Sequence, residues 1–188
     1  MISALMGIRR LLVVLALILG LLVIYASGAL AVEQSTPEEP ITAQAGCGPA
    51  PCWPTYSFGD TDEDVVTIQY LLRHRGFADF RPNDGYFGPL TRRAVKDFQR
   101  ARALAVTGRV GARTWTKLVV PVRLGMQNNA AVRGLQVQLR DVYNYEVKVS
   151  GDFGRITRAA VRDFQRKHDL RVTGRVNKAT WQALISDR

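Results

Sequence analysis

Cysteine and histidine are scarce in this chain, two of each in 188 residues. Cys47 and Cys52 share one CGPAPC segment. Two thiolates with no further Cys and no nearby His make a poor zinc site. Their spacing is not C-x-x-C, and Pro49 and Pro51 stiffen the loop, which argues against a redox pair. Acid is also short: 16 Asp+Glu stand against 26 Lys+Arg, a formal charge of +10. The excess lies late in the chain, with 11 bases against 7 acids over residues 58–121 and 13 against 6 over 122–188. It points to an anionic partner such as nucleic acid, a phospholipid surface or an acidic polymer. Apolar residues are plentiful at 47%, which excludes a disordered tail. The length excludes a large two-lobed enzyme.

Residues 1–31 hold no acid and read as a bacterial-type secretory signal. Arg9-Arg10 are its positive end, residues 11–25 an uncharged apolar run, and Ala29-Leu30-Ala31 a small-x-small cleavage site. The competing reading is an uncleaved membrane anchor. Leu11 to Ala31 gives 21 uncharged residues, just enough to span a bilayer. One reading gives a secreted, wall-located protein and the other a membrane-anchored protein facing outside. Both export the remainder. In an oxidising compartment the economical state of Cys47 and Cys52 is a local disulfide. Residues 32–57 also carry Pro37, Pro40 and Pro54, and read as an extended linker ending in that stapled turn.

The rest of the chain repeats itself. Residues 85–119 align with 151–185 at a constant shift of 66, without a gap. Phe87/Phe153, Thr91/Thr157, Val95/Val161, Phe98-Gln99/Phe164-Gln165, Thr107-Gly108/Thr173-Gly174 and Thr114-Trp115/Thr180-Trp181 coincide. Upstream the shift becomes 67, pairing Val65, Ile68, Gln69 and Leu72 with Val132, Leu135, Gln136 and Leu139. The repeats occupy residues 58–121 and 122–188.

Each repeat carries three helical patterns, so the expected fold is all-α, two tandem small three-helix bundles after the signal and linker. In the first pattern Thr61 or Asp62 caps, Val65, Ile68 and Leu72 share a face, and Gly76 stops the helix. The second opens at Gly88-Pro89, with Pro where its missing N–H does no harm. Leu90, Ala94, Val95 and Phe98 form its expected apolar stripe. The third runs over about residues 112–119 and turns Trp115 and Leu118 inward. Asn177 caps its counterpart, where the first repeat has Gly111. Bundles of this size leave little volume for a deep catalytic cleft.

The order DG-x-FG-x-x-T-x-x-AV-x-x-FQ, then L-x-V-TG-x-V-x-x-x-TW-x-x-L, resembles the peptidoglycan-binding-like domain family. It runs here from Asp84-Gly85 to Leu118 and again from Gly151 to Leu184, with Ser150 replacing the Asp of the turn. The resemblance implies three-helix bundles that anchor a protein to the bacterial cell wall, and peptidoglycan as the partner. The charge agrees, because stem peptides carry carboxylates and teichoic polymers carry phosphates. The residues expected to bind surround the turn that opens the second helix, where free N–H groups suit an anion. In the first copy they are Asp84, Tyr86, Thr91, Arg92 and Arg93. In the second they are Asp152, Arg155, Thr157 and Arg158. The competing reading makes Asp84 a turn residue and the arginines a solvated face. Gln69 and Gln99 lie beside core positions and are expected to bond loop carbonyls, with a ligand role as the competing reading.

Enzymatic and nucleic-acid readings are weaker. His74 and His168 fall at different places in the repeat and build no shared site. With the cysteines paired there is no Cys–His nucleophile. A small muralytic enzyme would need a cleft holding two carboxylates. Helix 2 is rich in Arg, as a groove-binding helix would be, but the export signal and the interspersed Asp97 and Asp163 oppose specific nucleic-acid binding. The sequence therefore reads as a non-catalytic, monomeric wall binder without a cofactor. The alternative is an envelope adaptor whose bundles bind another protein.

Overall fold

The computed structural model describes residues 52–79 and 83–186. The proposed signal, most of the linker and Cys47 lie outside the described residues. Six helices occur among them: α1 (Glu63–His74), α2 (Pro89–Ala101), α3 (Ala112–Leu118), α4 (Ala130–Val137), α5 (Arg155–Lys167) and α6 (Lys178–Ser186). A π-helical turn, Gln138–Val142, extends α4. There is no strand among the described residues, only three isolated antiparallel bridges. No helix among them is long and apolar enough to cross a membrane.

Local chemistry sets the helix ends. The Asp62 carboxylate accepts from Asp64 N–H at 2.8 Å and so caps α1. Beyond α1, Gly76 turns with φ +79°, and its N–H and that of Phe77 return to the carbonyls of Arg73 and Leu72. Pro89 starts α2. The Asn177 amide oxygen accepts from Thr180 N–H at 2.9 Å at the start of α6, a bond that Gly111 cannot make for α3.

The two copies close in the same way. Tyr56 bridges Val110 in the first, and Val122 bridges Val176 in the second. The Trp115 indole N–H donates to the Pro54 carbonyl at 2.9 Å, and that of Trp181 to the Val120 carbonyl at 2.7 Å. Each buried Trp thus ties the third helix of its copy to the segment that leads into that copy. Phe77 meets Phe98 edge-on at 5.4 Å, and Tyr143 meets Phe164 at 4.8 Å. His168 stacks on Phe164 at 4.1 Å, where Arg102 covers Phe98 in the first copy. This packing accounts for a histidine that the repeat does not share.

The copies are not separate bodies. Their apolar side chains form one continuous core, and both lie in a single compact unit. The seam is the packing of α1 on α4. Gly134 brings the helices close: a Cβ there would stand 3.4 Å from Tyr70 Cβ and 3.5 Å from Thr67 Cγ2. The Thr67 hydroxyl donates to the Gly134 carbonyl at 3.3 Å. Gln138 donates to Asp64 Oδ1 at 2.7 Å and to Thr67 Oγ1 at 2.9 Å, while Tyr56 O–H donates to Asp64 Oδ2 at 2.6 Å. Asp64 is fully buried, so each of these bonds answers a group that would otherwise be stranded away from water.

One stripe residue is placed differently from its expectation. Leu90 is 58% exposed and its counterpart Ile156 71%. The inward position in the first turn is taken by Thr91 and Thr157, whose hydroxyls bond to glutamines of the preceding helix. The apolar stripe of α2 therefore begins at Ala94, not Leu90.

Candidate functional site

The polar residues of the repeated motif divide into those turned inward and those left on the surface. Four glutamines hold the loops. Gln69 donates to Asp84 Oδ1 at 3.0 Å, the Tyr86 carbonyl at 3.0 Å and Thr91 Oγ1 at 3.2 Å, and accepts from Gly85 N–H. Gln136 does the equivalent with the Asp152 carbonyl, Thr157 and Gly151 N–H. Gln99 donates to Thr107, the Arg109 carbonyl and Thr114, and accepts from Gly108 N–H. Gln165 repeats that set with Thr173, Arg175, Thr180 and Gly174. One buried amide thus satisfies a turn N–H, a turn carbonyl and a hydroxyl on the next helix. The loop-bonding role expected of Gln69 and Gln99 is what the geometry displays.

These clasps take in several residues expected to bind. Thr91 and Thr157 are only 2% and 4% exposed. Their hydroxyls face the glutamines, so they close the fold and are not available to a ligand. Asp84 accepts from Gln69 and from Tyr86 N–H, and the Gln69 bond holds its carboxyl below the usual range. Ser150 makes the corresponding turn by accepting from Asp152 N–H. Asp152 accepts from Asn128 N–H at 2.8 Å. Tyr86 stays on the surface, with its ring against Gly88 and 6.5 Å from Phe58.

The arginines remain outside. Arg92, Arg93, Arg155 and Arg158 are all exposed. Arg93 lies 3.9 Å from Asp97, which also pairs with Arg100. In the second copy Asp163 pairs with Arg166 and Lys167. Arg92 and Arg158 have no such acid among the described residues. Each is joined one turn later by a second cation, Lys96 or Arg162, that the sequence expectation left out. Both stems lie across the glycine of the Thr-Gly turn. A Cβ on Gly108 would fall 2.9 Å from Lys96 Cε and 3.2 Å from Arg92 Cγ. On Gly174 it would fall 3.0 Å from Cγ of both Arg158 and Arg162. Each copy therefore presents a paired cation, with its aliphatic part seated on a turn and its charge outward. In the first copy a shallow groove runs along this face past Phe58, Pro89 and Asp97. The signal for Lys96 and Arg162 was their positive charge at one position of both copies, one turn after Arg92 and Arg158.

Comparison with known proteins also finds two tandem copies. A family model described as "Putative peptidoglycan binding domain" matches residues 61–118 and again 128–184. The chain is also similar to the "Uncharacterized protein in bpoA1 3'region" of Kitasatospora aureofaciens, at 41% identity over 66 residues. That match takes in 35% of this chain and 55% of the relative, so the chain covers little more than half of the relative's length. With more than half of its residues inside the two family matches, the chain belongs to the peptidoglycan-binding domain family.

Proposed function

We propose that this protein is an exported, non-catalytic binder of peptidoglycan, held to the wall by the outward face of α2 and of α5. The observation that carries the reading is the duplicated cation pair, Arg92 with Lys96 and Arg158 with Arg162, seated on Gly108 and Gly174. Folding does not require a cation at these exposed positions, yet both copies have one at each. Exposed neighbours Leu90 and Ile156 add an apolar edge to each face. Arg can grip a carboxylate or phosphate with two parallel hydrogen bonds, and the apolar edge suits the faces of sugar rings. Stem-peptide carboxylates are the primary anion, and teichoic phosphates add to the attraction in walls that carry them. Export rests on residues 1–31, with the mature chain starting at Val32 and a Cys47–Cys52 disulfide in the linker.

Sedimentation of the purified protein with wall sacculi tests the reading. The protein should pellet with sacculi and release no sugar or peptide. The Arg92→Ala/Arg158→Ala double variant should stay folded and pellet less. Turnover that survives repurification would overturn the non-catalytic assignment. Undiminished pelleting of the double variant would overturn the cation pairs. Failure to pellet, with capture of a defined envelope protein through Leu90 and Ile156, would favour the adaptor.

A further inference from the structure

The two copies share a backbone frame but differ in side chains where α2 and α5 open. Gly59 N–H donates to the Phe87 carbonyl and Gly125 N–H to the Phe153 carbonyl, each at 3.1 Å. The N–H groups of Phe87 and Phe153 return to the carbonyls of Asp60 and Met126, each at 2.8 Å. These bonds make Phe58 the counterpart of Leu124, and the shift of 66 pairs Tyr86 with Asp152 and Pro89 with Arg155. The first copy thus has two aromatic rings and a proline where the second has an aliphatic side chain and two charges. Phe58 is 51% exposed and Tyr86 41%, with their rings 6.5 Å apart and tilted by 60°. The frame does not require either ring, since the second copy closes the same backbone bonds with Leu and Asp.

The rings adjoin the groove of the first copy. It encloses about 520 Å³ and joins Phe58 and Pro89 to Arg92, Arg93, Lys96 and Arg100. Its α2 residues recur every three or four positions, so it follows one face of the helix. Asp97 also lines it and is held by Arg93 and Arg100, while Arg92 and Lys96 rest their stems on Gly108. An aromatic end is thereby set beside positive charge. Such a surface suits one molecule that offers both an apolar face and an acid. A pyranose ring with an acidic side branch offers both: its C–H face lies on rigid aromatic rings, and its carboxylate accepts from Arg and Lys. A bare anion would use only the charges, and an apolar protein surface only the rings.

We infer that the two copies divide the ligand between them. Phe58 and Tyr86 of the first copy receive the C–H face of a pyranose ring, with Arg92 and Lys96 on the carboxylate of its side branch, and the second copy reads the anion without the sugar. The inference rests on the wall-binding reading, which supplies an amino sugar bearing an acidic peptide. It adds to that reading a sugar subsite in one copy and an order in which the copies meet the strand.

Calorimetric titration of the purified protein with N-acetylmuramyl-L-alanyl-D-isoglutamine and with N-acetyl-L-alanyl-D-isoglutamine tests it. Both probes carry one carboxylate, and only the first carries the sugar. The muramyl probe should bind at least about tenfold more tightly, the gain from covering roughly 55 Å² of apolar surface. Phe58→Leu with Tyr86→Ser should abolish that ratio while leaving the sugar-free peptide unchanged. Arg92→Ala should weaken the muramyl probe about tenfold. Leu124→Ala, at the matching place in the second copy, should keep the ratio. The comparison of the two probes needs no variant, so it stands if a variant fails to fold. Equal binding of the probes, a ratio kept by the folded Phe58/Tyr86 variant, a muramyl affinity untouched by Arg92→Ala, or a ratio lost with Leu124→Ala overturns the inference. Binding of neither probe also overturns it and gives the rings to the envelope-protein alternative. Sacculus sedimentation of the same protein separates the failures: pelleting without a sugar preference sinks this subsite alone, and loss of both sinks the wall-binding reading as well.

Discussion

Replacing Trp181 with alanine tests whether the two copies melt together. The side chain is fully buried and its N–H is bonded to the Val120 carbonyl. Emptying a buried Trp site typically costs about 3–5 kcal/mol. Stranding the carbonyl adds about 1 kcal/mol or more. A domain commonly holds only about 5–15 kcal/mol in all, so the variant should be close to marginal. From sequence alone, Trp181→Ala is expected to unfold the second copy and spare the first. The continuous core across α1 and α4 changes that expectation to one lowered transition for both. The assay is built into the chain, which has three Trp. Removing Trp181 leaves Trp115 of the first copy and Trp53 of the segment leading into it, stacked at 5.4 Å. Fluorescence then reports the first copy, while far-ultraviolet circular dichroism reports all the helices. In guanidinium the two midpoints should coincide, both well below that of the parent protein. A fluorescence midpoint left at the parent value, with helical signal already lost, would refute a shared core.

Gln165→Ala should cost about 2–4 kcal/mol, because it strands the N–H groups of Thr173 and Gly174 together with the Arg175 carbonyl; chemical denaturation measures it, and a loss below about 0.5 kcal/mol, the range of surface changes, would show that water replaces the clasp. Gly174→Ala forces a side chain into φ +67° against Arg158 and Arg162; it should lower stability by about 1–2 kcal/mol and weaken sacculus pelleting, whereas unchanged pelleting would detach the turn from the cation pair. Asp84 has its carboxyl held low chiefly by the Gln69 bond, so its stabilisation is present above the ordinary carboxylate range and fades as pH falls through the lowered value. Asp84→Asn should therefore flatten the loss of stability with acid, and an unchanged acid limb of the stability–pH curve would contradict that.

Much of the fold was legible because each signal was local. Asp62, Gly76, Pro89 and Asn177 mark helix ends through bonds that a few neighbouring residues make. The glutamines were legible as loop holders because both copies keep them beside core positions. Leu90 departs from the expectation because apolar character does not dictate burial in the first turn of α2, where the inward place belongs to a threonine already committed to Gln69. The outward cations were only half read: Arg92 and Arg158 stand near the expected turn, while Lys96 and Arg162 carry their charge one turn later in both copies, and their stems over Gly108 and Gly174 show that they belong to the same pair. The seam was not legible at all. Nothing in the spacing of Thr67, Gly134 and Gln138 says that residues 67 or more apart meet, since the contact depends on which helix faces remain uncovered after each copy has closed.

The α1–α4 seam turns a duplicated module into a gauge. Two domains on a flexible tether would search independently and accept attachment points at many separations, with a local concentration set by tether length. Two faces joined through one core have their spacing fixed before they meet the polymer. The second contact then forms readily where the strand offers an anion at the matching interval, and not at all where it does not. Under the proposed wall-binding reading, attachment would then depend on the spacing of anions along the polymer as well as on its chemistry.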